Sequence, residues 1–118
     1  AFSNYLAHEI YAGADFFLMP SRFEPCGLGQ MIAMRYGSIP VVRAVGGLRD
    51  SVHEPDTGFV FWEYSVHELH AAMQRALAVF RDPEAMLALR IRCMTADYSW
   101  GRSTHDYLAM YHEIAPAR

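Results

Sequence analysis

The segment SRFEPCGLGQ, residues 21–30, places an acid, a thiol and two glycines where an apolar run gives way to a helical pattern. The first N–H groups of a helix have no intrahelical partner, so they and the helix dipole favour an anion such as phosphate. Gly27 and Gly29 have no side chains to block close approach of a ligand. Glu24 would repel phosphate but accepts strongly from sugar hydroxyl groups. A phosphate site at residues 26–30 is therefore physically reasonable, and Glu24 would be useful there only if it faced another group, such as sugar hydroxyls.

Simpler interpretations stay open on these residues alone. A short glycine loop can serve only to pack a helix against a strand, and Glu24 can be an exposed loop acid that caps the helix start. Gly46 and Gly47 predict a tight turn after a later strand, where they can be scaffold or site. His67 and His70 have helical i, i+3 spacing, but we expect a solvated helix face there and predict no metal site.

The elements that must position these residues can be predicted from apolar patterning. Short apolar runs predict strands at 15–19, 39–42 and 58–61, and 3.6-residue periodicity predicts the helices between and after them. The predicted helices cover 4–12, about 27–36, about 66–81, a stretch that starts at Pro83, and a last stretch after Ser99. Buried strands that alternate with helices indicate βαβ units and a parallel sheet. The 21–27 loop then lies at the carboxyl end of a strand, where such sheets bind ligands.

The last helices carry cap and core signals. Asp82 followed by Pro83 is typical of an N-cap and first helical residue, and Ser99 is a second candidate cap. We expect the helix after Asp82 to bury Leu87, Ile91 and Met94. The expected apolar stripe of the final helix is Trp100, Tyr107, Tyr111 and Ile114.

Composition excludes several classes of protein. The 118 residues suit one modest domain, and 53% hydrophobic residues supply a core. A net charge of −3 argues against nucleic-acid partners and a membrane-surface role. The sequence shows neither a bilayer-spanning run nor a signal peptide. Cys26 and Cys93 lie far apart, which favours reduced cytoplasmic thiols. The chain opens in a helical pattern without a methionine, so we expect a piece of a longer chain.

A long stretch of the sequence resembles a known family. The segment SRFEPCGLGQMIAMRYGSIPVVRAVGGLRDSV is similar to the central signature of glycogen and starch synthases, and LAHEIYAGADFF and YSW fit as well. These enzymes are retaining glucosyltransferases with two Rossmann-like domains that face a cleft, the GT-B fold. The resemblance implies an α/β fold: part of the C-terminal Rossmann-like domain, with three parallel strands, flanking helices and C-terminal helices.

The resemblance also implies roles for individual residues. Glu24 matches the acid that holds the donor glucose and supports the positive charge that develops on the sugar. The donor-binding positions implied are Cys26, Gly27 and Leu28 through their N–H groups, Gly29 and Gln30 as the continuing loop, Phe2 as a ring on the adenine, and Gly46 and Gly47 beside the sugar.

Three positions depart from the family pattern. Ile32 stands where the wider superfamily has a second Glu, which bacterial and plastid synthases commonly lack. Gly29 and Val45 stand where the family usually has Thr. These two changes affect side-chain contacts to the donor and leave the backbone contacts in place.

The resemblance implies the following expectations for the parent protein. Residues 1–118 form part of the donor-binding domain, and the helix in 99–118 packs back toward the N-terminal domain. Glucose passes from ADP-glucose, or less favourably UDP-glucose, to the non-reducing end of an α-1,4-glucan, which the N-terminal domain holds. No cofactor, metal, nucleic acid or membrane is expected, and the compartment is a bacterial cytoplasm or a plastid stroma. The alternatives are a sucrose-synthase-like glycosyltransferase and a non-catalytic nucleotide-sugar or glucan-binding module.

Overall fold

The computed structural model describes residues 3–115. Helices and strands alternate through its first half, and three helices follow. The order is α1 (Asn4–Gly13), β1 (Phe16–Met19), α2 (Gly29–Arg35), β2 (Ile39–Arg43), α3 (Gly47–Ser51), β3 (Phe59–Phe61), α4 (Val66–Phe80), α5 (Pro83–Thr95) and α6 (Trp100–Ile114).

The three strands form a parallel sheet in the order β1-β2-β3. Phe16 to Met19 pair in register with Ile39 to Val42, and Val41 to Arg43 pair with Phe59 to Phe61. The predicted fold class, strand positions and parallel pairing are therefore confirmed. All three strands end at the same edge, which the segments after Met19, Arg43 and Phe61 line.

Successive side chains of β1 face helices on opposite sides of the sheet. Phe16 packs on Phe80 of α4, with ring centroids 5.9 Å apart. Phe17 points the other way, where its ring meets Tyr11 of α1 at 5.5 Å. The core lies around the central strand β2 and includes Met34, Ile39, Val42, Leu48 and Val52, each at most 2% exposed.

Side-chain caps define where four helices begin. The Asp82 carboxylate accepts from the N–H groups of Glu84 and Ala85, and the Ser99 hydroxyl accepts from Arg102 N–H, which confirms both predicted caps. Ser3 and Ser65 cap α1 and α4 in the same way. These bonds satisfy N–H groups that have no partner within the helix.

The predicted buried stripe of α5 is wrong. Leu87, Ile91 and Met94 are 60%, 53% and 43% exposed. The buried residues of α5 are instead Met86, Leu89 and Cys93. Because α5 is apolar on adjoining faces, its sequence allows either stripe. Its packing against α2, α4 and β2 selects one of them.

The apolar stripes of the first and last helices are exposed. Leu6 and Ile10 of α1 are 52% and 58% exposed. The predicted stripe of α6 is present, but it is not buried against any described residue: Trp100, Tyr107, Tyr111 and Ile114 are all more than half exposed. Periodicity predicted these helices correctly without revealing what their apolar faces contact.

Candidate active site

The loop after β1 places Glu24 at the carboxyl edge of the sheet. Gly27 has a φ of +73°, in the left-handed region that favours glycine, and Leu28 occupies the N-cap position of α2. The helix therefore begins at Gly29, two residues later than predicted. Cys26, Gly27 and Leu28 form the turn that leads into the helix.

The backbone amides of this turn have no protein partner. The first backbone hydrogen bond joins Ile32 N–H to Leu28 O at 3.0 Å. Within residues 3–115, the N–H groups of residues 26–31 make no hydrogen bond. Cys26 and Leu28 are exposed, so the start of this run of amides faces solvent.

The loop after β2 touches the same turn. A Cβ added to Gly46 would overlap the carbonyl oxygen of Glu24, and one added to Gly47 would overlap that of Cys26. Gly46 also has a φ of +48°. Only glycine allows the two backbones to lie this close. The structure therefore brings the Glu24–Leu28 turn and the Gly46–Gly47 turn together at one edge of the sheet.

A buried hydrogen-bond chain locks the two turns together. Gln30 Nε2 donates to Gly27 O at 2.7 Å and to Ser51 Oγ at 2.9 Å, and Ser51 Oγ donates to Gly47 O at 2.6 Å. Gln30 is 0% exposed, so its side chain positions the turns from inside. Sequence reasoning missed Ser51, whose only signal was a polar residue on the inner side of the short helix after the glycine pair.

Comparison with known proteins identifies the family. Residues 2–86 match the family model described as glycosyl transferases group 1. The chain belongs to this family. The matched range includes Glu24, the Cys26–Gln30 segment and both glycines of the second turn.

The relatives of this chain include polysaccharide synthases. A glycogen synthase of Anaeromyxobacter dehalogenans is 56% identical over 99% of this chain and 26% of its own length. The catalytic domain of starch synthase IV from Arabidopsis thaliana, bound to ADP and acarbose, is 41% identical with a TM-score of 0.86. That match covers 96% of this chain and 25% of the plant chain.

A more distant structural relative has another name. The sucrose-phosphate synthase of Thermosynechococcus elongatus is 30% identical with a TM-score of 0.64, over 88% of this chain and 26% of that one. The present chain thus spans about a quarter of the length of the relatives that it matches. Its likeness to GT-B catalytic domains confirms the predicted fold.

The exposed side of the Cys26–Leu28 turn opens onto a cleft of about 720 Å³. Asp50 and His53 line one wall, and Asp97, Tyr98 and Arg102 line the wall at the start of α6. Hydrogen bonds from Ser99 hold the pKa of Asp97 below its ordinary value, so this carboxylate stays ionised. Sequence reasoning gave Asp97 and Arg102 no role, although Tyr98 beside them belongs to the YSW segment that fits the family pattern.

Two of the three departures from the family pattern, Gly29 and Val45, lie in well-packed surroundings. A Cβ at Gly29 would lie 3.0 Å from Cζ of Phe17 and 3.3 Å from the Tyr11 hydroxyl oxygen, so two aromatic rings crowd the space of a side chain there. Val45 packs against the core. Phe2, the predicted adenine contact, lies outside the described residues.

Among residues 3–115, no three His, Cys, Asp or Glu side chains are grouped so that they could hold a metal ion. His70 instead lies 3.2 Å from the amide nitrogen of Gln74. None of the described helices combines the length and apolarity needed to span a bilayer.

Proposed function

We propose that the whole protein transfers glucose from a nucleotide sugar to the non-reducing end of an α-1,4-glucan with retention, and that this chain carries the donor's sugar and diphosphate site. One observation carries the proposal. In a chain of the glycosyl transferases group 1 family, Glu24 and a run of amides without protein partners stand together at the carboxyl edge of a parallel sheet.

The proposed division of labour follows from charge. Retaining transfer passes through a sugar with positive character and a leaving diphosphate with growing negative charge. The Glu24 carboxylate stabilises the positive charge on the sugar, and the N–H groups of Cys26, Gly27 and Leu28 stabilise the diphosphate. The loop after β2 approaches the sugar through Gly46 and Gly47. The hydrogen bonds of Gln30 keep the two turns next to each other. This chemistry requires no cofactor.

The donor we propose is ADP-glucose in preference to UDP-glucose. The starch synthase that this chain resembles was solved with ADP. Release of ADP or UDP by the full-length protein, supplied with each sugar nucleotide and a glucan, tests this choice. Faster turnover of UDP-glucose at equal concentration would contradict it. The bacterial origin of the glycogen synthase relative favours the cytoplasm as the compartment.

The structural likeness to sucrose-phosphate synthase favours a second candidate, a sucrose-synthase-like glycosyltransferase. The two candidates differ in acceptor, since one uses a glucan chain and the other a free sugar. Incubation with labelled donor and either maltoheptaose or fructose separates them. A non-catalytic nucleotide-sugar or glucan-binding module would bind its ligand without turnover.

The decisive variant is Glu24→Gln in the full-length protein, because it keeps the shape and removes the charge. If the carboxylate stabilises the transition state more than the bound donor, kcat should fall by at least ~100-fold, about 2.7 kcal/mol. Donor affinity, measured by calorimetry, should change less. Glu84→Gln, an exposed acid in the first turn of α5, is the matched control and should keep normal turnover. Near-normal turnover of Glu24→Gln would remove the role assigned to Glu24.

A further inference from the structure

Exposed aromatic rings gather with two arginines at the carboxyl edge of the sheet. We call this group the aromatic–arginine cluster: Arg22, Phe23, Arg43, Trp62 and Tyr64. Phe23, Trp62 and Tyr64 are 80%, 63% and 59% exposed. They come from the segments after β1 and β3, which the order of the sheet separates by the width of β2.

Arg43 holds these two segments in a fixed arrangement. From the end of β2, its Nε donates to Trp62 O at 3.1 Å, and its Nη1 donates to Arg22 O at 2.9 Å. Its guanidinium carbon also lies 5.4 Å from the centre of the Tyr64 ring, within the range of a cation–π contact. The segments that carry the exposed rings are thus held by the fold, and the Tyr64 ring contacts Arg43 directly.

Arg22 adds donors that no described residue uses. Its guanidinium carbon lies 5.6 Å from the Phe23 ring centre and 6.0 Å from that of Tyr64. This guanidinium makes no hydrogen bond or ion pair with any residue of the range 3–115. The surface therefore combines flat apolar rings with planar N–H donors at their edge.

We propose that the aromatic–arginine cluster binds an α-glucan chain outside the reacting subsites. A hexose presents an apolar C–H face, which a flat ring can cover, and a rim of hydroxyl groups, which a guanidinium can bind. A pocket of about 250 Å³ beside Tyr64, lined also by Pro20, Val66 and Leu69, gives room for part of a sugar ring. The proposal rests on the proposed function, in which the acceptor is a glucan.

Position also favours the polymer as the occupant. Phe23 directly precedes Glu24, so a chain that lies on the rings runs along the same sheet edge as the carboxylate. The proposed donor site uses the other side of this loop, the Cys26–Leu28 turn. A long acceptor can therefore lie on the cluster while its end is at Glu24.

The experiment compares four full-length proteins: the wild type, Trp62→Ala/Tyr64→Ala, Trp62→Phe/Tyr64→Phe and Leu87→Ala. The phenylalanine variant keeps the rings, and Leu87 is an equally exposed apolar residue on α5, away from the cluster. Retardation in native gels that contain glycogen measures binding without catalysis. Steady-state kinetics with glycogen and with maltotriose measures the effect on acceptor use, and circular dichroism checks folding.

In the double alanine variant we expect the glycogen dissociation constant and half-saturating concentration to rise about tenfold, a change of about 1.4 kcal/mol. The KM for maltotriose and for the nucleotide sugar should stay unchanged. The phenylalanine variant and Leu87→Ala should behave like the wild type. Unchanged retardation, an equal loss in the phenylalanine variant, or a rise confined to the nucleotide-sugar KM would overturn the proposal.

The two proposals fail in different ways. A wild-type protein that is retarded by glycogen yet transfers no glucose would contradict the proposed function. The alanine variant would still decide whether the cluster is the binding surface. A wild-type protein that transfers glucose but shows no retardation by glycogen would overturn the cluster alone.

Discussion

Gly47 has no side chain, and this allows the loops after β1 and β2 to pack closely against each other. A Cβ there would lie 2.0 Å from the carbonyl oxygen of Cys26, a backbone atom that cannot rotate away. Gly47→Ala should therefore push the turns apart, lower the free energy of unfolding by about 1–3 kcal/mol and reduce turnover. Urea unfolding and a donor-turnover assay on the full-length protein check both effects.

Gly13→Ala is the matched control for this prediction. Nothing lies within 4 Å of a Cβ at Gly13, which is the last residue of α1. Alanine there should leave turnover unchanged and stabilise the protein by up to about 0.5–1 kcal/mol, because the unfolded chain loses freedom. If Gly47→Ala and Gly13→Ala had the same stability and turnover, close packing of the two turns would not matter.

At the residue scale, the sequence predicted local positions along the chain but not the contacts between distant segments. The position of Glu24 just after a strand follows from an apolar run and a proline. The contact between Gly46 and the Glu24 carbonyl requires two loops to meet in space, which one sequence cannot reveal. The same holds for Gln30, whose complete burial depends on Ser51, 21 positions further along the chain.

At the scale of elements, one ion pair ties the segment before β3 to α4. Arg75 of α4 donates to Glu54 at 2.6 and 2.9 Å and to Val60 O at 2.8 Å, while Glu54 accepts from Val60 N–H. Burial raises the pKa of Glu54, but the hydrogen bonds from Arg75 and Val60 outweigh it. The net pKa lies below the ordinary value of 4.5.

This link predicts a pH dependence of stability. Because the folded-state pKa of Glu54 is lowered, its contribution is fully present above about pH 4.5 and is lost as the pH falls through the folded-state value. Glu54→Gln should be less stable than the wild type at pH 7, and the difference should shrink toward pH 3. Urea unfolding across this range measures it, with Glu84→Gln as the control. A constant difference between wild type and Glu54→Gln would contradict the assignment.

Element positions were predictable where a local signal defines them. Asp82 and Ser99 start their helices because a side-chain oxygen satisfies free N–H groups, an interaction that spans three residues. Helix α2 begins two residues later than predicted because Gly27 forms a left-handed turn, which lies against the loop after β2. The buried face of α5 depends on three neighbouring elements, so periodicity in one apolar helix did not determine it.

At the scale of the whole molecule, the chain is extended for its length. Its radius of gyration is 16.4 Å, whereas a compact chain of this size has about 13.5 Å. The longest dimension is 57 Å, against 37 and 33 Å for the others. Helix α6 explains part of this shape, because its apolar residues are exposed and no residue of α6 is buried.

The exposed apolar surface predicts that the 118-residue chain associates with itself when isolated. Within the described residues, β1 pairs only with β2, so its other edge presents free N–H and C=O groups. Leu18 of β1 and Ile10 of α1 are 47% and 58% exposed, and Ile114 of α6 is 73% exposed. Apolar patches of this kind bind one another in water.

Light scattering on the isolated 118-residue chain should therefore report a dimer or larger species. The double variant Leu18→Glu/Ile114→Glu should shift it toward the monomer, because each buried carboxylate would oppose association. We also expect no turnover of ADP-glucose, since the chain matches only about a quarter of a glycogen synthase. A monomeric wild-type chain with a cooperative thermal transition would show instead that these exposed faces are stable in water. The surface of β1 would then be an ordinary solvated edge.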